Sequence, residues 1–232
     1  SRESYKKSTE SLNRLIKMAD KSNSNVFLDT IITPSFTNAV AQLVQLPGVS
    51  GKENNMVLFE FEKDNPKNLK EIAENLSLVK TTGFDVAILA SSIKNYGFKR
   101  NINVWITSGD YENANLMILM AYIILGHSDW KKGHIKIYAI YPKDELEAQK
   151  VKLQDLIYSG RLPISKNNID VISKDESIDI KTVINQKSND ADLTIIGFRN
   201  ELVQHIGDEV FKGYESLGDV LFFNSTNQKE IK

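Results

Sequence analysis

Apolar residues recur along this chain in two rhythms, and the alternation between them predicts the order of its elements. Leu12, Leu15, Ile16 and Ala19 fall at i, i+3, i+4 and i+7, one face of a helix that the polar run 20–25 ends. Val26, Phe27 and Leu28 read as a short buried strand. Thr33 followed by Pro34 supplies an N-cap and a proline at the first helical position, and Phe36, Val40, Leu43 and Val44 form the buried face that follows. Pro47, Gly48 and Gly51 punctuate a loop before Met56, Val57, Leu58 and Phe59, whose unbroken apolar character suits a central strand covered on both sides. Asn65 and Pro66 repeat the cap-then-proline signal, Leu69, Ile72, Ala73, Leu76 and Val79 carry the helix, and Gly83 stops it.

Strands are expected at 84–90 and 102–106, with only a polar link between them. Strands joined without a crossover helix are either antiparallel or in different sheets, so the link marks a boundary between subdomains 1–100 and 101–232. As a loose connection, it is expected to be cut first by a protease, at Lys94, Lys99 or Arg100. Beyond it come helix 113–125, strand 134–140, helix 143–158, strand 169–172, helix 178–186, strand 193–196, a helix within 200–214 and strand 220–223. This alternation predicts an α/β fold of mostly parallel sheets flanked by helices, in two α/β subdomains. The stretch 116–125 is apolar on every face of its helix. Either it is sandwiched inside the domain, or its second face meets another copy of the chain, with Met117 and Met120 as candidate dimer contacts.

Composition narrows the function classes. A chain of 232 residues, 41% hydrophobic and 25% charged, is a globule of one large domain or two small ones. Its 29 Lys and Arg against 30 Asp and Glu leave no basic surplus for a dedicated nucleic-acid binder. Without cysteine there is no disulfide framework, thiol nucleophile or thiolate-held metal. The apolar run 116–125 is about half of the roughly 20 residues that span a bilayer, so no membrane insertion of this segment is expected. No signal-peptide pattern opens the chain, which makes the sequons at Asn75 and Asn224 coincidences.

In open α/β sheets ligands bind beyond the carboxyl ends of strands, which directs attention to the loops after Ile106 and Ile196. The first holds Thr107, Ser108, Gly109 and Asp110; its hydroxyls and amides suit a phosphate, but a single glycine and a carboxylate make a poor anion cradle. The second begins at Gly197, lacks the further glycines of a phosphate loop, and brings like-charge repulsion from Glu201. Ser108, Gly109 and Gly197 are thus weak ligand-loop candidates, and a plain turn is the competing reading. His127, His134 and His205 lack a carboxylate at metal-site spacing, no serine sits in a nucleophile elbow, and the pairs Asp144–Glu145 and Asp175–Glu176 suit helix starts. No catalytic residue, metal or cofactor is expected.

Taken in order, three blocks resemble the C-terminal cytoplasmic domain of the cation-chloride cotransporters. The first runs from a helix ending in Leu43, Val44 and Gln45 through Gly48 and Asn55 to the strand Val57, Leu58, Phe59, Glu60, Phe61, followed by Glu62, Lys63 and Asp64. Family members usually have a second glycine where Ser50 stands, a proline at Asn54 and a glycine at Glu60. The second is similar to a tryptophan-bearing strand, here Ile102 to Trp105, an apolar helix with Tyr122, then Trp130, Lys131 and the strand Ile135 to Tyr138. Here Ile106 replaces a second tryptophan, paired glycines are missing near Ala114 and Asn115, and Ala121 replaces a proline. The third comprises Ala191, Asp192 and Leu193, then Gly207, Asp208 and Glu209, then a last strand at 217–223.

The departures suggest a distant, prokaryotic relative. The short link after Ala90 stands where many members carry a long regulatory insertion, and the family's domain often begins with a further strand–helix unit upstream. The resemblance implies a non-catalytic regulatory and dimerisation domain with a fold similar to universal stress proteins. It would lie on the cytoplasmic face of the cell membrane, joined to the transmembrane transport domain of the same full-length chain and paired as a homodimer. The alternative is a free-standing nucleotide-binding protein resembling universal stress proteins.

Overall fold

The computed structural model describes residues 2–22, 26–48, 53–110, 112–159, 165–175 and 179–227. Ser50, Gly51, Glu176 and Ile178 of the sequence reading lie outside the described residues. The chain divides into two compact units, residues 1–55 and 56–232. In the first, α1 (Arg2–Ser22) and α2 (Phe36–Leu43) are helices. Between them 26–32 forms no strand, and Val26 and Phe27 are exposed. An apolar triplet without a partner strand has nothing to hydrogen-bond, so its propensity is not realised. The α2 cap is Ser35 rather than Thr33: Ser35 Oγ accepts from the Asn38 amide at 3.2 Å, while Thr33 Oγ1 donates to the Ser35 carbonyl at 2.7 Å.

The second unit is built on one seven-stranded sheet in the order β1-β2-β7-β6-β3-β4-β5. Its strands are β1 (Met56–Glu62), β2 (Asp85–Ser91), β3 (Asn101–Thr107), β4 (His134–Pro142), β5 (Ile169–Lys174), β6 (Leu193–Gly197) and β7 (Asp219–Asn224). Every neighbouring pair is parallel except β2 with β7. The strands before the link therefore run opposite to those after it, within a single sheet. Helices α3 (Leu69–Thr81), α4 (Ala114–Leu125), α5 (Leu146–Ser159), α6 (Ile180–Lys187) and α7 (Asn200–Ile206) connect the strands, and a 3-10 turn (Gly207–Phe211) extends α7. Gly83, at φ +84° just past α3, takes the left-handed conformation that ends a helix.

Ile102, Val104 and Ile106 of β3 point to one face of the sheet, where Met117 and Ile118 of α4 and Leu153 and Ile157 of α5 close a core with Ile137 and Ile195. Each such fully buried side chain contributes about 1.5–3 kcal/mol of transfer free energy. The alternating residues of β3 point the other way: Trp105 stacks on Tyr138 with centroids 4.4 Å apart, and Asn103 and Trp105 both donate to Ser188 Oγ at the end of α6. Phe198, Phe211, Phe222 and Tyr214 then make a chain of edge-to-face contacts under the 3-10 turn.

Two elements differ from the sequence reading. β1 is an edge strand rather than a central one, pairing among the described residues with β2 alone, and Leu58 stays 61% exposed. A continuous apolar run reads as two-sided burial, but sheet position follows from long-range pairing. α4 is apolar all round but not buried all round: Met117 lies wholly within the core and Met120 packs partly buried against it, whereas Tyr122 and Ile123 are 40% and 55% exposed. Met117 therefore has no surface to offer a second chain, and the apolar face in solvent is that of Tyr122 and Ile123.

The link is not a loose connection. Asp219 Oδ1 accepts from the amide and hydroxyl of Ser92 at 2.7 and 2.9 Å. Asp192 accepts from the amides of Phe98, Arg100 and Asn101 at 2.8–2.9 Å. Asn95, Gly97 and Lys99 all take positive φ, and a Cβ on Gly97 would meet Asp192 Oδ1 at 2.3 Å. Tyr96 rests edge-on against Trp130 with centroids 6.1 Å apart. Trypsin should therefore cut the intact chain slowly at Lys94, Lys99 and Arg100. Asp192→Ala, which strands three amides at a cost of about 1–3 kcal/mol, should open these bonds at least about tenfold faster in timed digestion.

Candidate functional site

The strand order sets where a site can form. From β3 the chain adds β4 and β5 on one side, then crosses over to place β6 and β7 on the other, so the carboxyl ends of β3 and β6 flank a topological switch point. A cavity of about 300 Å³ opens there. The structure brings together in it the loop candidates Ser108 and Gly109, after β3, and Gly197, at the end of β6. Three cations also line it, Arg199 of the second loop and Lys174 and Lys181, which the sequence did not point to, over walls that include Ile140, Leu202 and Tyr214.

The loop after β3 closes on itself. Asp110 Oδ2 accepts from the Thr107 amide and hydroxyl at 2.8 and 2.7 Å, its Oδ1 accepts from Asn113 Nδ2 at 3.2 Å, and the Gly109 amide reaches Thr107 Oγ1 at 3.4 Å. The Thr107 amide and hydroxyl, two donors that a phosphate could use, are thus already turned toward the protein's own carboxylate. Burial holds the Asp110 carboxyl above the usual carboxylate range, against the hydrogen bonds of Thr107 and Asn113 and the charge of Arg199. Folding favours its protonated form, so this group opposes folding at pH above its raised pKa, and the opposition fades as pH falls through that value. Tyr141 is pushed up to about 12 by burial and by the nearby Asp110 charge.

The same carboxylate explains Gly197. A Cβ there would stand 1.9 Å from Asp110 Oδ1 and 3.1 Å from Asn113 Nδ2, so the strand end must lack a side chain. Glycine is required by an internal acid, not by the close approach of a ligand. Asn113 completes the join: its Nδ2 also donates to the Phe198 carbonyl, which Asn224 caps as well, and its Oδ1 accepts from the Ser225 amide. Asn224 and Asn75 are buried, so neither sequon presents an acceptor in the folded chain. Only the i, i+3 spacing of Asp110 and Asn113 at a strand-to-helix turn hinted at this network.

Glu201 lies outside the cavity lining and pairs across the surface with Lys80 of α3 at 3.5 Å, while its charge also reaches Arg199 at the mouth. Lys181 is engaged, donating to the carbonyls of Glu209 and Lys212 at 3.0 and 2.8 Å, and burial lowers its pKa. Arg199 is exposed beside Gly109, its Nε 3.3 Å from where a Cβ would stand. The cavity thus presents a cationic, half-apolar mouth above a buried acid.

No family model matches the chain, and no curated protein matches it. Solved structures do. The cytoplasmic domain of a prokaryotic cation chloride cotransporter superposes with a TM-score of 0.64 at 17% identity, covering 95% of this chain and 82% of that one. A candidate universal stress protein from Pseudomonas aeruginosa gives 0.56 at 16% identity, over 92% of this chain and 77% of that one. A functionally unknown protein from the same species gives 0.55 at 17%, over 92% and 76%. The chain is similar in fold to all three.

If Gly197 is dictated by Asp110, Gly197→Ala should destabilise the fold by about 1–3 kcal/mol through overpacking. Gly109→Ala, whose Cβ meets only the movable end of Arg199, should cost less than about 0.5 kcal/mol. Urea unfolding of both variants checks the contrast.

Proposed function

We propose that the chain is a non-catalytic cytoplasmic regulatory and dimerisation domain of a cation-chloride cotransporter, with its subdomain seam at residue 100, where strand direction reverses. The observation that carries this reading is the fold shared, over nearly the whole chain, with the cytoplasmic domain of a prokaryotic cation chloride cotransporter. The self-satisfied loop at Asp110 supports it, since the hydrogen-bonding groups beside Ser108 and Gly109 serve structure rather than a substrate. In this reading the chain lies on the cytoplasmic face of the cell membrane, coupled to a transport domain encoded upstream. The reading frame should then continue upstream into about a dozen apolar spans of roughly 20 residues.

One observation favours the alternative of a free-standing nucleotide binder: the cavity at the switch point with Arg199 at its mouth. Calorimetric titration separates the two. The proposed function predicts no saturable ATP binding at low-micromolar concentration. Such binding, abolished by Arg199→Glu in a chain that still melts cooperatively, would favour the alternative. Gly197 is the wrong position for this test, because a substitution there strikes Asp110 whether or not a ligand binds.

In this reading two chains pair through the exposed apolar end of α4, at Tyr122 and Ile123. Light scattering over a concentration series should report twice the mass of one chain at tens of micromolar, since an interface above about 1,000 Å² survives such dilution. Ile123→Lys should yield a folded monomer, whereas Met117→Lys, in the core, should abolish cooperative melting.

A further inference from the structure

At the end of the sheet opposite the cavity, the link between β2 and β3 presents Ile93 and Phe98, which at 83% and 86% are the most exposed large apolar side chains among the described residues. Their exposure is not the by-product of a floppy loop. Two buried carboxylates, Asp192 and Asp219, hold both ends of the segment, and three positive-φ residues, Asn95, Gly97 and Lys99, shape it between. A backbone this constrained keeps two apolar groups in water at a standing free-energy cost, the mark of a surface kept for a contact.

The surrounding charge says what that contact is. No acid occurs from 91 to 101, while Ile93 is followed by Lys94, and Phe98 by Lys99 and Arg100. Of the acids near the segment, Asp192 and Asp219 are spent on amides and Asp129 on Lys99 at 2.5 Å, while the charge of Glu60 on β1 also reaches Tyr96. Lys94 and Arg100 remain exposed and, among the described residues, form no ion pair. Beside them lies the loop carrying exposed Lys131 and Lys132, locked to the link by the His134 amide on the Arg100 carbonyl at 2.7 Å and by Trp130 against Tyr96. Protein interfaces deplete lysine around their apolar anchors, whereas lipid-binding segments join apolar side chains to lysine and arginine.

We propose that the link, residues 92–100, docks on an anionic lipid surface, with Phe98 and Ile93 reaching the headgroup–acyl boundary and Lys94, Arg100, Lys131 and Lys132 meeting the lipid phosphates and carboxylates. This is a peripheral contact and not a span. It does not depend on the proposed transporter role, because vesicle binding by this chain is measured without any transport domain.

The test is flotation of the full chain with phosphatidylcholine vesicles with or without about 30% phosphatidylserine. Binding is expected only to the anionic vesicles and should fall at least roughly tenfold from about 0.05 to about 0.5 M salt. Ile93→Ser with Phe98→Ser should lower it roughly tenfold or more, and Lys94→Glu with Arg100→Glu should abolish it. Phe27→Ser, an exposed aromatic outside the link, should leave it unchanged. All these side chains are exposed, so thermal melting should be unaffected. Phe98→Trp should add tryptophan emission that shifts to the blue on the anionic vesicles and is quenched by brominated lipid. Absence of binding to anionic vesicles overturns the proposal, as does binding indifferent to the link variants. Loss of self-association in the Ile93→Ser, Phe98→Ser chain without any vesicle binding assigns the loop to a second copy and overturns it as well.

Discussion

The second unit depends on where its last strand goes. β7 is buried at all six of its residues and sits third in the sheet, antiparallel to β2 on one side and parallel to β6 on the other. Without it, β1 and β2 would be a two-stranded ribbon, too small to be stable alone, and β6, β3, β4 and β5 would expose an edge. One strand from the far end of the sequence thus joins two blocks of opposite direction into a single hydrogen-bonded layer. Such pairing closes a long loop before it gains anything in return, so this seam is the slow, non-local part of the fold.

Around that seam the chain uses carboxylates as organisers of backbone. Asp192 and Asp219 gather amides of the link, Asp85 takes the Thr226 amide beyond β7, and Asp110 closes the loop after β3. Lys63 does the converse, donating to the carbonyls of Tyr214, Leu217 and Gly218, and burial lowers its pKa while the nearby Asp219 and Glu215 pull it back up. Each of these groups is buried or half-buried and hydrogen-bonded, the condition under which a polar group is tolerated away from water. The link before β3 and the loop after it are consequently each tied to a carboxylate, and Asp110, Asp192 and Asp219 are already committed to structure.

That commitment shapes the two candidate surfaces differently. At the switch point the buried acid draws the loop's donors inward and leaves Arg199 and Lys174 to define the cavity's outward character. At the opposite end the same device turns apolar and basic side chains outward on a fixed backbone. A fold shared with a cotransporter's cytoplasmic domain and with a candidate universal stress protein accommodates either surface, because the sheet supplies position and the loops supply chemistry.

The sequence by itself determined nearly every element from α3 to β7. Their helix faces, alternating strands and the Gly83 stop are local signals that depend on neighbours three or four residues away. It also directed attention to the loops after β3 and β6, which line the cavity, because alternating strands and helices build a parallel sheet with a switch point. It did not determine that Val26 to Leu28 would find no partner strand, that β1 would lie at an edge, or that α4 would bury Met117 and expose Ile123. Nor did it show that Gly197 is a glycine because of Asp110, or that Glu201 would turn to Lys80. These facts join residues tens to more than a hundred positions apart. Only the tertiary structure decided them, because which side chain meets which carboxylate, and which strand gains a second neighbour, is settled by long-range pairing that no local pattern encodes.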